Sequence, residues 1–79
     1  MTVYRITFEG PAALALGVAT MLADADGIEL TSAEPPSVVD PDTVRLGLAV
    51  QGTPDSVADA VATIRGGLPA GASIEVADD

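Results

Sequence analysis

Apolar and polar residues alternate with a period of two in several segments of the chain, which predicts β-strands with one buried face. The clearest are residues 2–9 and 43–51, and residues 28–33 and a short segment around residue 75 show shorter versions of the same pattern. We expect the apolar members to point inward, namely Tyr4, Ile6, Phe8, Ile28, Leu30, Val44, Leu46, Leu48, Val50, Ile74 and Val76.

Two other segments have apolar residues at helical spacing. Residues 12–25 follow Gly10-Pro11 and end before Gly27, with an inward stripe predicted at Leu14, Val18, Met21, Leu22 and Ala25. The second helix starts at Thr53-Pro54-Asp55, where a hydroxyl N-cap precedes a proline and an acid in the first turn. It is predicted to end at Gly66-Gly67, with Val57, Ala60, Val61, Ile64 and Leu68 buried.

The order of elements is therefore β-α-β-β-α-β over one domain, residues 1–79. Right-handed crossovers then favour a ferredoxin-like α+β sandwich. Its four-stranded antiparallel sheet has the strand order 4-1-3-2, and both helices cover one face. Residues 34–42 contain Pro35, Pro36 and Pro41, so we expect them to form the hairpin loop between the second and third strands. Ala77, Asp78 and Asp79 are expected to fray.

Two surfaces of this sandwich are candidate interfaces. The helix-free face carries Arg5 and Arg45 on its two central strands, with Glu29 and Glu75 on the flanking strands within cross-strand reach. A solvated face with paired charges and a protein interface both fit this arrangement. The first helix is apolar nearly all round, so Leu16, Ala19 and Ala23 are expected to meet a partner subunit; a poorly covered, alanine-rich helix is the alternative.

The charge of the chain is unusual. It has twelve acidic residues and three arginines but no lysine or histidine, so its formal net charge is −9. Repulsion among these acids destabilises a compact chain in dilute buffer, and molar salt screens it. We therefore expect a salt-adapted, halophilic protein located in the cytoplasm, although an acidic mesophilic protein is the alternative. The same charge disfavours nucleic acid as a partner.

Most reactive side chains are also missing, since the chain has no cysteine, histidine or lysine. Without a base for a nucleophile, or thiol and imidazole ligands for zinc or haem, we expect no enzymatic activity, cofactor or dedicated metal site. Glu34, Asp40 and Asp42 cluster in the predicted loop, but their spacing matches no known cation-binding loop. No apolar run reaches the length of a membrane span, so no membrane partner is expected.

The stretch Tyr4–Leu22, followed by Gly27-Ile28-Glu29-Leu30, resembles an ACT domain. The shared features are a strand, a turn with glycine and proline, a helix of the type L-x-x-V-x-x-x-L, and a glycine before the next strand. The resemblance implies a regulatory domain that dimerises and binds an amino acid or another small ligand at the turn before the first helix. The ligand-binding residues would be Gly10, Pro11, Ala12 and Ala13, where Ala12 replaces the family's glycine.

These observations predict a small non-catalytic regulatory or protein-interaction module that forms a homo-oligomer or binds a protein partner. Two alternatives are a sensor of amino acids of the ACT type and an accessory subunit of a larger enzyme.

Overall fold

The computed structural model describes residues 2–78, and the side chains of residues 2–77. Two helices and five strands follow one another as β1 (Thr2–Pro11), α1 (Ala12–Asp24), β2 (Ile28–Ala33), β3 (Ser37–Asp40), β4 (Thr43–Gly52), α2 (Pro54–Gly66) and β5 (Ser73–Asp78). The predicted fraying at the end of the chain is wrong for Ala77 and Asp78, which belong to β5 and pair with β1. Asp79 lies outside the described residues.

The five strands form one antiparallel sheet in the order β2-β4-β1-β5, and β3 also pairs with β4. This is an α+β architecture compatible with the predicted ferredoxin-like sandwich. The predicted sheet order 4-1-3-2 has four strands, and the structure differs from it by the added β3, which changes the count and the numbering.

The prediction of a loop over residues 34–42 is wrong in part, because residues 37–40 form β3. Val38 pairs with Val44, and Asp40 pairs with Thr43, which leaves Pro41-Asp42 as a tight two-residue turn. The prolines keep residues 34–36 out of the sheet, but they do not prevent a short strand at its edge, where one side of the backbone needs no partner.

The helices cover one face of the sheet, where a single hydrophobic cluster forms the core. Tyr4, Ile6 and Phe8 belong to this cluster with Leu22 of α1 and Ile64 of α2, as the alternation predicts. Ile6, Phe8 and Leu22 have no exposed surface. Val76 lies opposite Ile6 in the register but is 38% exposed, because β5 is an edge strand.

The buried stripe of α1 differs from the predicted one. Ala15, Val18 and Leu22 are the buried residues of the helix, whereas Met21 is 46% exposed. A helix made of apolar residues on nearly every side gives little periodic signal, so the sequence does not fix its rotation about its own axis. In α2 the polar residues do fix it: Val57, Val61 and Ile64 are buried, in agreement with the prediction.

Candidate interaction surfaces

The face of the sheet opposite the helices is uncovered, and we call it the open face. Its residues alternate with the core residues along each strand, so they point away from the helices. Among the described residues, none on this face is fully buried. They include Arg5, Thr7 and Glu9 on β1, Arg45, Gly47 and Ala49 on β4, and Ser73 and Glu75 on β5.

Arg45 forms an ion pair with Glu9 across the two central strands. The Arg45 Nη2 atom donates to Glu9 Oε2 at 2.7 Å, and Nε donates to the same oxygen at 3.0 Å. The two residues are direct partners in the β1–β4 register. The sequence suggests Glu29 and Glu75 as the acids within reach, and it misses Glu9 because the pair depends on the register of the two central strands. Since both side chains are well exposed, the pair adds about 1 kcal/mol or less to stability.

Arg5 lies at the other end of the same two strands, opposite Ala49 on one side and Ala77 on the other. Among the side chains of residues 2–77, no carboxylate forms an ion pair with it. Among the described side chains, the open face therefore carries one arginine in an ion pair, Arg45, and one outside any, Arg5.

Glu34 reaches over the open face from the segment after β2. Its backbone N–H donates to the carbonyl of Gly47 at 2.8 Å, and its carboxylate covers the position where Gly47 lacks a side chain. A Cβ added at Gly47 would lie 3.0 Å from Glu34 Oε2. The sequence places Glu34 in a hairpin loop with Asp40 and Asp42. Within the described part of the chain, no three acids are arranged to hold a metal ion.

A shallow polar cleft of about 380 Å³ occupies the other half of the open face. Its lining includes both members of the Arg45–Glu9 pair, together with Thr7, Ser73 and Glu75. The cleft shows that this half of the face has room for a side chain from a binding partner.

The second candidate surface is the flank of α1 that carries Leu16, Ala19 and Ala23, which we call the α1 flank. Leu16 is 77% exposed, Ala23 is exposed, and Ala19 is half-buried against the core. The flank is therefore open to a second molecule, and the expectation that a partner subunit meets it stays a prediction.

The four residues of the turn predicted to bind a small ligand differ in their exposure. Gly10 is buried, while Pro11, Ala12 and Ala13 are exposed. A Cβ added at Gly10 would lie 2.8 Å from the Cβ of Ala72 and 3.0 Å from Cζ of Phe8. Close packing with the segment before β5 therefore explains this glycine without a ligand.

An apolar cleft of about 360 Å³ lies between the two helices, and the sequence does not predict it. Met21 and Ala25 of α1 and Ala60 and Ile64 of α2 contribute to its walls. Pairing of the two predicted stripes would close this space. Met21 is instead exposed, so the cleft stays open. Because α1 is apolar on nearly every side, its sequence does not indicate how the helix is rotated and therefore does not predict this cleft.

None of the helices in the described part of the chain combines the length and hydrophobicity that crossing a bilayer requires.

Comparisons with known proteins give the fold but no family. No protein-family model matches the chain, and no curated protein matches it either. Solved structures with a similar fold, in contrast, match the chain. The C-terminal domain of the MgtC protein from Mycobacterium tuberculosis superposes with a TM-score of 0.77 at 14% identity, covering 100% of this chain and 88% of that one.

Two other solved structures are less similar. A putative PII-like signaling protein from Thermus thermophilus has a TM-score of 0.56 at 8% identity, over 100% of this chain and 89% of that one. The YXEP protein of Bacillus subtilis, a dinuclear metal-binding peptidase of the M20 family, has a TM-score of 0.51 at 18% identity. That match covers 98% of this chain but 25% of the peptidase. At these identities the likeness shows a shared fold, and neither ligand nor activity follows from it.

Proposed function

We propose that this protein is a small non-catalytic regulatory or protein-interaction module that acts by self-association or by docking to another protein. The uncovered open face carries the proposal, because it holds two of the three arginines of a chain with twelve acids. Arg5 and Arg45 offset part of the negative charge of the acids that share this face. In a chain with a charge of −9, such an offset lowers the electrostatic penalty of bringing a second acidic surface close.

The α1 flank supports the same proposal independently. Leu16 exposes 77% of its surface beside two alanines, on a chain that has few large apolar side chains outside its core. Apolar side chains that cluster at a surface are typical of sites where proteins meet. The domains of similar fold include the C-terminal domain of MgtC and a PII-like signaling protein, which is in keeping with a regulatory role.

Two alternatives remain as proposals. A sensor of amino acids of the ACT type would bind its ligand at Gly10–Ala13, where three exposed residues follow the buried glycine. An accessory domain of a larger enzyme is favoured by the match to the M20 peptidase, in which this fold accounts for a quarter of the chain.

Light scattering over a range of protein concentrations in molar KCl tests the proposal. We expect the mass to rise above that of the monomer as concentration increases. A parallel NMR titration with the common amino acids separates the sensor from the association module. Shifts confined to Gly10–Ala13 would favour the sensor, and a monomer at every concentration would contradict the proposed self-association.

A further inference from the structure

Within the described part of the chain, strand β5 has one edge that no other strand covers, which we call the β5 edge. The strand pairs with β1 through all six of its residues, in a continuous register, and it ends the sheet on that side. The opposite edge of the sheet is divided between β2 and β3, and each of these strands has an irregularity in its pairing with β4. Such irregularities interrupt an edge, whereas the regular β5 edge is of the kind that accepts another strand.

The register of the sheet shows which backbone groups face the β5 edge. In an antiparallel pair, the N–H and C=O of one residue point to the same side, and the side alternates along the strand. The carbonyl of Gly47 accepts from the N–H of Glu34 at 2.8 Å, so Gly47 points away from β1. Its partner Thr7 therefore points to β5, where it is paired with Glu75. The next residue, Val76, then points to the β5 edge.

The contact made by Arg65 gives the same result for Ile74, two residues before Val76. The Arg65 Nη2 atom donates to the Ile74 carbonyl at 2.9 Å, so this carbonyl lies at the β5 edge, within reach of a side chain from α2. Among residues 2–77, no side chain donates to or accepts from the backbone of Val76. The N–H of Ile74 and both backbone groups of Val76 are therefore available to a strand from outside.

An apolar cleft of about 330 Å³ lies beside the β5 edge, between the sheet and α2. Tyr4 and Val76 line it from the sheet, and Ala58, Val61 and Ala62 line it from the helix. Val76 is 38% exposed although it shares the core face of the sheet with its register partner on β1. A residue placed opposite Val76 on an added strand would share that face, because paired residues point to the same side of a sheet. The cleft therefore suits an aliphatic side chain from the added strand.

Charge decides which kind of strand fits this edge. Residues 73–78 include Glu75 and Asp78 and no basic residue, so pairing β5 with β5 of a second copy would bring two acids from each copy to one seam. Like charges on neighbouring strands are destabilising. Glu75 points to the open face, where Arg45 is already paired with Glu9, and no ion pair of Glu75 is found among the described side chains. Arg65 lies on the helix side of the sheet. A basic residue beside Glu75 therefore complements the edge better than a second copy does.

We propose that the β5 edge binds an extended segment of a partner protein, in which apolar residues alternate with lysine or arginine. The apolar residues lie over the cleft beside α2, and a basic residue lies beside Glu75 on the open face. Backbone hydrogen bonds to Ile74 and Val76 hold the segment as an additional strand, a recurring mode of peptide recognition. This inference rests on the docking part of the proposed function, for which it names a surface and the chemistry of the partner.

A capped peptide of alternating lysine and valine, acetyl-KVKVKVK-amide, serves as the probe. An NMR titration of the parent chain at about 0.15 M salt gives the dissociation constant and the residues affected. We expect the largest shifts at the amides of Ile74 and Val76 and at Ala58 and Ala62 across the cleft. Hydrogen exchange of the Val76 N–H should slow by about tenfold or more at saturation, while that of the Glu75 N–H, which faces β1, should change little.

Two controls separate strand pairing from attraction by charge alone. The same peptide with its three valines N-methylated keeps every charge and side chain but loses the N–H groups that face the edge, and it should bind about tenfold more weakly. On the protein, Glu75→Lys should weaken binding about threefold, because it replaces an opposite-charge pair by a like-charge pair. Asp24→Lys changes the net charge equally, but on α1, and should weaken binding less. Both positions are exposed, so the fold should be kept.

Equal affinity of the N-methylated peptide, or shifts spread over the acidic surface without protection of the Val76 N–H, would overturn the inference. Protection of this N–H that rises with protein concentration in the absence of peptide would also overturn it, since a second copy would then occupy the edge. In these cases self-association of the parent chain would still support the proposed function. A parent chain that stays monomeric and binds no peptide at the β5 edge would overturn both proposals.

Discussion

Replacement of Gly10 by alanine should destabilise the fold because the glycine lets two segments of backbone pack together. An added Cβ would lie 2.8 Å from the Cβ of Ala72 and 3.2 Å from its Cα, and 3.0 Å from Cζ of Phe8. Real Cβ atoms do not approach other carbons to 2.8 Å. Since Phe8 is fully buried, the strain must be relieved by moving the segment before β5.

Overpacking of this kind costs about 1–3 kcal/mol. A domain of this size has a total stability of roughly 4–12 kcal/mol, so the loss is a substantial part of it. Each kcal/mol corresponds to roughly 4–8 °C in Tm for a small domain. Urea and thermal unfolding of Gly10→Ala should therefore show a clearly lower midpoint with an unchanged m-value.

Two further variants make the reasoning falsifiable. Gly17→Ala places the same methyl group in the interior of α1 with nothing within 4 Å, and it should stabilise the helix by roughly 1 kcal/mol. Ala72→Gly removes the nearest clashing atom, so the double variant with Gly10→Ala should recover part of the loss. A Gly10→Ala chain as stable as the parent, or a double variant with purely additive effects, would refute the packing explanation.

Three other predictions concern stability. Raising KCl from about 0.1 M to about 2 M should raise the Tm, since it screens repulsion among the excess acids of a chain with charge −9; a Tm that stays constant would speak against salt adaptation. Leu22→Ala should lower the free energy of unfolding by about 2–5 kcal/mol in urea, because Leu22 is fully buried in the core. Thr53→Ala should lower the free energy of unfolding by about 1 kcal/mol, because the Thr53 hydroxyl accepts from the Ser56 N–H at 3.3 Å. Thr53→Ser should retain most of that free energy, because serine keeps the hydroxyl.

Much of the fold can be predicted from the sequence because strand alternation and helix caps are local signals. The inward direction of Tyr4, Ile6 and Phe8 is confirmed, and so is the start of α2 after Thr53. The prediction misses β3 because three prolines in residues 34–42 outweigh two valines. At the edge of a sheet, one free side of the backbone makes a short strand possible.

The open face can be predicted only in part. Alternation places Arg5 and Arg45 on the face without helices, which agrees with their exposure. The pairing of Arg45 with Glu9 depends on the register of β1 against β4, a relation between residues far apart in the chain. The position of Glu34 over Gly47 depends on the path of a loop that has no periodic signal. The arrangement of charges on the open face therefore becomes visible only once the strands are in register.

A single cysteine at Thr7, in the middle of the open face, tests the claim that the protein associates through this face most directly, since the chain has no cysteine of its own. If two copies meet through the open face, a short bifunctional maleimide should link Thr7→Cys to its own copy, because sheets that pack face to face lie about 10 Å apart. Thr63→Cys, exposed on α2, serves as the control. The account predicts covalent dimers from Thr7→Cys at least ten times faster than from Thr63→Cys. Equal rates, or a monomeric Thr7→Cys chain at concentrations where the parent associates, would contradict it.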